Sequence, residues 1–424
     1  MENTTNHIKS SLPLSKFIPF FLLEIVLTST MGSMGAAISN YLISELNYDP
    51  WVGGLVVSLA SVGFLIFTLA FGHISDKFGQ RKVIIIIMAV KLGLSFYYLV
   101  PIDSYVHLII FGGVFFLDGA ISGIFWPTIQ QISVHAERNG SSNLKNKYMS
   151  GYNFSWNFGY ILGMIMGALI VYVFTSNYYV FYFNLFGMIM GALIAFFFVK
   201  NVSEMFDSYS DKPISSPDTP PETIDMKNNK IENEAGSRLS NLPLYSFLII
   251  LLIHSLTDGL ITIFLTLKIE LLNYGLYWVF IITLIKLFFQ MSGTIIFSFT
   301  KKSLIIKILL ISISVIGFSW TFILFGNNLW SIALLLSISG FAQGAIYALI
   351  MKLISYKADK QESARPFSYF QAIMSGGRMM GSIMFGLTAA ISLSLGIYIL
   401  IAYTSFSFVQ FILSLKFSTN ALKK

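Results

Sequence analysis

The chain alternates between long apolar runs and short polar stretches. Runs of about 20 residues, the length an α-helix needs to cross a bilayer, fall at 17–38, 51–71, 83–100, 105–126, 148–174 and 178–199. A polar segment at 200–241 follows, and six further runs occupy 242–267, 275–299, 303–325, 329–351, 366–390 and 393–416. Each crossing must satisfy its own backbone hydrogen bonds in lipid, so these runs predict helices. The expected fold is an all-α integral membrane protein of twelve transmembrane helices. Residues 1–199 and 242–424 would form two pseudo-symmetric six-helix bundles. Segment 200–241 holds Pro213, Pro217, Pro220 and Pro221 among mixed charges, and reads as a linker.

Polar residues inside the runs recur at helical spacing. Glu24, Thr28, Gly32, Gly35 and Ser39 share a face of the first run; Asn153, Asn157 and Tyr160 share a face of the fifth. His254, Asp258 and Thr262 do so on the seventh, Lys286, Gln290 and Thr294 on the eighth, and Gln371, Ser375, Arg378 and Ser382 on the eleventh. Gln343 and Tyr347 add a shorter stripe on the tenth. Such faces point to a water-filled cavity or to a partner helix. Seven ionisable side chains sit at membrane depth: Glu24, Lys91, Asp118, His254, Asp258, Lys286 and Arg378. Internal ion pairing is the bland fate for each, and Lys91 is the strongest candidate for it.

The halves echo each other. Gly119-x-x-x-Gly123 recurs 221 residues later as Gly340-x-x-x-Gly344, and Gly159-x-x-x-Gly163 recurs 218 residues later as Gly377-x-x-x-Gly381. Small residues four apart let membrane helices pack closely, so these pairs are expected at helix contacts in equivalent places.

Composition and charge narrow the class. Of 424 residues 55% are hydrophobic and 11% charged, against about 25% charged in soluble proteins. There are no cysteines, which excludes disulfides and thiolate metal sites. No cofactor is implied. The net charge of +7 raises the question of nucleic acid, but its distribution answers it. Twenty-three of the 27 Lys and Arg fall in segments on the same side as the termini, and Lys268 alone falls opposite. That bias expects both termini in the cytoplasm of a multi-pass cell-membrane protein, with no nucleic-acid partner. The polar start of the chain lacks a cleavable signal pattern.

One polar island separates the second and third runs: Gly72-His73-Ile74-Ser75-Asp76-Lys77-Phe78-Gly79-Gln80-Arg81-Lys82. Its G-x-x-x-D-K-x-G-x-R-K spacing resembles the loop signature between the second and third helices of the major facilitator superfamily of secondary transporters. Leu117-Asp118-Gly119 stands where that family has R-x-x-Q-G, with Phe115 at the arginine position and Asp118 at the glutamine. The stretch 159–168 resembles the family's fifth-helix glycine pattern, with Met164 in place of a proline and Ala168 in place of a glycine. Ile124-Phe125-Trp126-Pro127 closes the fourth run in a family-like way, and its proline should free a carbonyl and kink the helix.

The resemblance implies secondary active transport of a small organic solute by alternating access, at a site between the halves. Protons are the candidate co-substrate, and uniport or organic-anion transport without protons is the alternative. Glu24, Asp118 and Asp258 are the candidate proton or cation sites, with His254 as a relay partner. Lys286 and Arg378 are candidates for holding a substrate carboxylate or phosphate, and Asn157 and Tyr160 for lining the path. In the family the loop aspartate engages the start of the eleventh helix. This implies a conformational gate made of Gly72, Asp76, Gly79, Arg81 and Lys82 with Arg365. The expected partners are lipid and a small molecule, in a monomer. An enzyme is the rival class, but neither an H-E-x-x-H pair nor a G-x-S-x-G elbow is present. A non-transporting receptor is the third.

Overall fold

The computed structural model describes residues 14–72, 74–139, 145–200, 242, 244–357 and 365–421. Residues 201–241 of the linker expected at 200–241, and residues 1–13 of the N-terminal tail, lie outside the described residues. Among the described residues twelve long helices are present: α1 (Ile18–Asn40), α2 (Pro50–Phe71), α3 (Gln80–Tyr97), α4 (Tyr105–Asn139), α5 (Lys145–Phe174), α6 (Tyr179–Phe197), α7 (Leu244–Leu271), α8 (Tyr277–Ser298), α9 (Ile305–Phe325), α10 (Leu329–Lys357), α11 (Arg365–Ala389) and α12 (Leu393–Ala421). Ten of them are long and apolar enough to span a bilayer. The other two are α3, which carries Arg81, Lys82 and Lys91, and α11, which carries Arg365, Arg378 and several glycines and serines. With an even number of crossings, α1 starts and α12 ends at one face, here the terminal face; the other is the distal face. Large apolar side chains such as Ile109, Phe299, Phe318 and Phe325 are exposed on the outside of the bundle, where lipid would cover them.

Within each half the helices pair in equivalent ways, and the repeated glycines make the contacts. A Cβ at Gly119 would come 1.9 Å from the Ala60 carbonyl oxygen, and one at Gly123 2.5 Å from that of Phe64, so α4 lies backbone-to-backbone on α2. In the second half a Cβ at Gly340 or Gly344 would come 2.5 or 2.0 Å from the carbonyl oxygens of Lys286 and Gln290, placing α10 on α8 in the same way. The other pair behaves alike. Gly163 abuts the Ser29 carbonyl, seating α5 on α1, and Gly381 abuts the Leu256 carbonyl, seating α11 on α7. Only glycine tolerates such approaches.

One expectation is corrected here. The fourth helix does not end at Pro127 but runs 12 residues further, to Asn139. Proline has no N–H to give the carbonyl four residues back, which is that of Gly123. The Thr68 hydroxyl of α2 donates to that oxygen at 2.9 Å, so the helix continues without leaving a buried acceptor unpaired. The island between α2 and α3 is a compact turn. Ile74–Phe78 make one helical turn, and Gly79 reverses the chain at φ +83°, a conformation that side chains other than glycine's rarely allow. Pro366 falls in the first turn of α11, where its missing donor costs nothing.

At the distal face, α1 continues as a five-residue π-helical segment, Tyr41–Glu45, and the halves are joined by hydrogen bonds. Thr266 of α7 donates to Asn40 Oδ1 at 2.6 Å and lies 3.2 Å from Ser39 Oγ. Ser44 donates to Glu270 at 3.1 Å. Glu45 accepts from Ser176 and Asn177 between α5 and α6, and Asn177 accepts from Asn40. The distal seam is therefore closed by a polar chain running from α6 through α1 to α7.

Candidate functional site

A cavity of about 200 Å³ opens on the seam, lined from the first half by residues of α1, α2, α4 and α5 and from the second by residues of α7, α8 and α11. A smaller lobe of about 100 Å³ runs from it toward Asp118. The lobes share Met31, Gly35, Ala60, Ser61, Phe115 and Arg378. Asp258 and Arg378 lie some 14 and 13 residues from the terminal-face starts of α7 and α11. At about 1.5 Å per residue they share a depth of about 20 Å.

The polar centre of the cavity is built on clasped backbones. A Cβ at Gly259 would come 2.2 Å from the Arg378 carbonyl oxygen, and Gly340 presses on the Lys286 carbonyl. The α-carbons beneath both cations are thus fixed by neighbouring helices. Ser382 tightens the first contact by donating to the Gly259 carbonyl at 3.0 Å. On this frame Lys286 Nζ donates to Asp258 Oδ1 at 2.5 Å. Arg378 Nη2 stands 3.5 Å from Asp258 Oδ2, and His254 Nε2 stands 3.9 Å from the same oxygen. The Lys286 side chain is 2% exposed, whereas that of Arg378 is 30% exposed, into the cavity. The Tyr160 hydroxyl lies beside the Arg378 guanidinium. One acid between two cations leaves the cluster at least one positive charge in surplus.

Glu24 stands apart from the cluster, toward the terminal face. It is fully buried, and neither carboxylate oxygen has a hydrogen-bond partner among the described residues. Tyr152 and Tyr347 are within electrostatic reach of it. The Tyr152 hydroxyl accepts from Gln130 at 3.0 Å. The Tyr347 ring meets His254 edge-on with centroids 5.8 Å apart, and Tyr347 also senses Arg378. Tyr347 thus lies near His254 and within electrostatic reach of both Glu24 and Arg378.

Of the residues expected to act together, Asp258, His254, Lys286, Arg378, Tyr160 and Asn157 are gathered on the seam, and Glu24 is within electrostatic reach of Tyr347 beside them. Asp118 is not gathered with them. It pairs with Lys91 at 2.7 Å inside the first half, while one side of it reaches the smaller lobe. The outer face of α3 is exposed at Ile86 and Phe96, but Lys91 turns inward and is 1% exposed. Two stripe residues bond to backbone: Thr28 donates to the Glu24 carbonyl, and Thr294 to the carbonyls of Gln290 and Gly344. At the expected gate, Arg81 and Lys82 are exposed and Gly72 and Gly79 flank the turn. The backbones of Asp76 and Arg365 are described, and their side chains lie outside the described set. Sequence reasoning missed Tyr152, Gln130 and the distal residues Asn40, Glu45, Asn177 and Thr266. A tyrosine or asparagine at the end of an apolar run carries no signal that separates it from an ordinary interfacial residue.

The comparisons with known proteins follow this geometry. A Major Facilitator Superfamily family model matches residues 20–382. A curated relative, described as "Probable transporter MCH2" of Saccharomyces cerevisiae, is 32% identical over 121 residues; the match covers 28% of this chain and 25% of that protein. Among solved structures, the nucleoside transporter NupG superposes with a TM-score of 0.67 at 15% identity over 95% of this chain and 99% of its own. A POT family transporter in complex with 5-aminolevulinic acid superposes with a TM-score of 0.70 at 13% identity, over 95% of this chain and 96% of its own. At such identities the likeness is one of fold. The family model, spanning most of the chain from α1 into α11, establishes that this protein belongs to the Major Facilitator Superfamily.

Proposed function

We propose that the protein is a secondary transporter that carries a small organic solute through the seam cavity by alternating access, with protons as the coupling ion. The observation that supports this reading most is the cavity itself. It lies at mid-depth between two pseudo-symmetric halves, and both halves contribute polar side chains to its wall. That is where transporters built from repeats bind their substrates. The solutes named for the structural neighbours are a nucleoside and 5-aminolevulinic acid, so the fold does not choose among solute classes.

Glu24 is the proton site in this reading. Burying a bare carboxylate without a partner costs several kcal/mol, on the order of the cost for any isolated buried ion, and a proton removes that cost. The titratable groups facing it are Tyr152 on α5 and Tyr347 on α10, with His254 of α7 behind Tyr347. Asp258, held between Lys286 and Arg378, would respond to solute instead. The basic bias of the terminal-face segments supports cytoplasmic termini in the cell membrane. The loop aspartate, Asp76, would latch the turn to the positive start of α11 near Arg365 when the terminal mouth is closed. A monomer provides the whole pathway.

Purified protein in proteoliposomes tests the reading. Uridine, dialanine and small organic anions and cations would be offered with and without a proton gradient. At least one should show saturable flux and accumulate with the gradient. Glu24→Gln should keep solute exchange at equal pH on both sides and lose gradient-driven accumulation. Absence of saturable flux across the panel rejects transport. Undiminished accumulation in Glu24→Gln removes the proton role and leaves uniport.

A further inference from the structure

We infer that the solute is a small organic monocarboxylate, its carboxylate seated on Arg378 with the Tyr160 hydroxyl beside it and its body against Met31, Phe115 and Trp156. The inference rests on the transport reading and names the substrate class of the same cavity.

Charge is the first argument. Asp258 and Lys286 neutralise each other through a direct hydrogen bond, as do Asp118 and Lys91. Arg378 is the one remaining ionised side chain among the described residues lining the two lobes. A single uncompensated cation suits a single negative charge. A dianionic phosphate would be left half-neutralised in a low-dielectric site, and a cationic solute would meet repulsion.

Availability of donors is the second. Guanidinium carries five N–H donors in a planar fork that matches a carboxylate with two parallel bonds. Among described side chains its nearest charged neighbour is Asp258 Oδ2 at 3.5 Å, too long for a strong charge-assisted bond, and the side chain is 30% exposed, into the cavity, so donors remain for an anion there. Lys286 has spent its contact on Asp258 and is nearly closed off. Because Arg378 lines both lobes, an anion on it occupies the junction of the two.

Size and wall chemistry are the third. A cavity of about 200 Å³ joined to one of about 100 Å³ compares with the roughly 150 Å³ apolar cavity that accepts a benzene ring. A head of three atoms and a short apolar body fits such a space. Beside Arg378 the two lobes share Met31, Gly35, Ala60, Ser61 and Phe115, a mostly apolar wall with one hydroxyl, and Asn157, Thr262, Thr283 and Gln290 also line the larger lobe. A carboxylate on Arg378 with a weakly polar body against Met31 and Phe115 suits that junction.

The test is a thermal-shift titration of the full-length protein with butyrate and benzoate against butyramide and benzamide, their uncharged counterparts. Succinate, inorganic phosphate, tetraethylammonium and uridine would be run alongside. A monocarboxylate should stabilise the wild-type protein at concentrations where its amide has no effect. Arg378→Gln should weaken that binding at least tenfold, about 1.4 kcal/mol, and Tyr160→Phe should weaken it less. Equal stabilisation by acid and amide, stronger binding of phosphate or tetraethylammonium, or unchanged acid binding in Arg378→Gln each overturns the assignment. If Arg378→Gln does not fold, the acid-to-amide comparison on the wild-type protein decides alone. Flux of uridine or a dipeptide without preference for acids overturns the carboxylate and leaves transport standing. Acid binding without saturable flux of any solute overturns transport and leaves the anion site standing.

Discussion

The pair Lys91–Asp118 makes a sharp prediction, because its members have unequal surroundings. Lys91 Nζ is 2.7 Å from Asp118 Oδ1, with the lysine 1% and the aspartate 19% exposed. At an effective dielectric of about 20, that separation corresponds to about 6 kcal/mol of attraction. Removing two ions from water costs several kcal/mol each, so the intact pair contributes little net stability. Removing one partner is different, since the other keeps its desolvation cost and loses its compensation. Asp118→Asn strands a fully buried ammonium and should cost about 3–5 kcal/mol. Lys91→Met leaves a carboxylate that reaches the smaller lobe and can be hydrated there, so it should cost about 2 kcal/mol, below that range. The double variant Lys91→Met/Asp118→Asn strands neither charge and should return to within about 1 kcal/mol of wild type. Thermal unfolding in detergent, followed by intrinsic tryptophan fluorescence, should therefore rank the midpoints wild type, double variant, Lys91→Met, Asp118→Asn. If the double variant is as unstable as Asp118→Asn alone, the pair does not act as a self-contained ion pair and the electrostatic account fails.

Two further outcomes follow from the same geometry. Asp258→Asn should reduce solute flux per folded molecule far more than Lys91→Met, as measured by initial rates in proteoliposomes; equal near-normal rates would show that the seam cluster is not part of the path. Gly119→Ala places a methyl group 1.9 Å from the Ala60 carbonyl oxygen and should cost about 1–3 kcal/mol by overpacking, read as a lower thermal midpoint than that of Gly113→Ala, where the added Cβ meets nothing within 4 Å.

Much of the fold was legible in the sequence for a simple reason: lipid leaves few choices. An apolar run long enough to cross must be helical, and the recurring glycine pairs marked the helix contacts that repeat between halves. The ends of helices were less legible. Pro127 looked like a terminus because its missing donor is a local fact, whereas the Thr68 hydroxyl that compensates it comes from another helix 59 residues earlier in the chain. The ionisable residues were all visible, but their partners were not. Lys91 and Asp118 are 27 residues apart, and Asp258 and Lys286 are 28 apart. Helical periodicity says which face a side chain shares, not which neighbouring helix that face meets. The stripe on α7 led correctly to His254 and Asp258 as neighbours, since both lie on one helix. The isolation of Glu24 depends on what surrounds it in three dimensions, and no pattern along the chain records that.

The glycine contacts inside each half have a mechanical consequence. Backbones that touch resist sliding and bending past each other, so in the proposed alternating-access cycle each half would turn as a stiff lever, and the backbone contact of Gly54 with Ser382 and Gly386 across the seam would be the one to open. A helix such as α7, with 28 residues, is about 42 Å long. Turning a lever of that length by about 10° about its middle moves each tip by about 4 Å. In that cycle the Asp258 cluster would sit close to the fulcrum, where displacement is least, so its contacts would persist while both mouths change width. Rigidity would also tie the mouths together: whatever distance one gained, the other would lose. A covalent crosslink across the distal seam, for instance between positions 44 and 270, would therefore immobilise the opposite mouth without touching it.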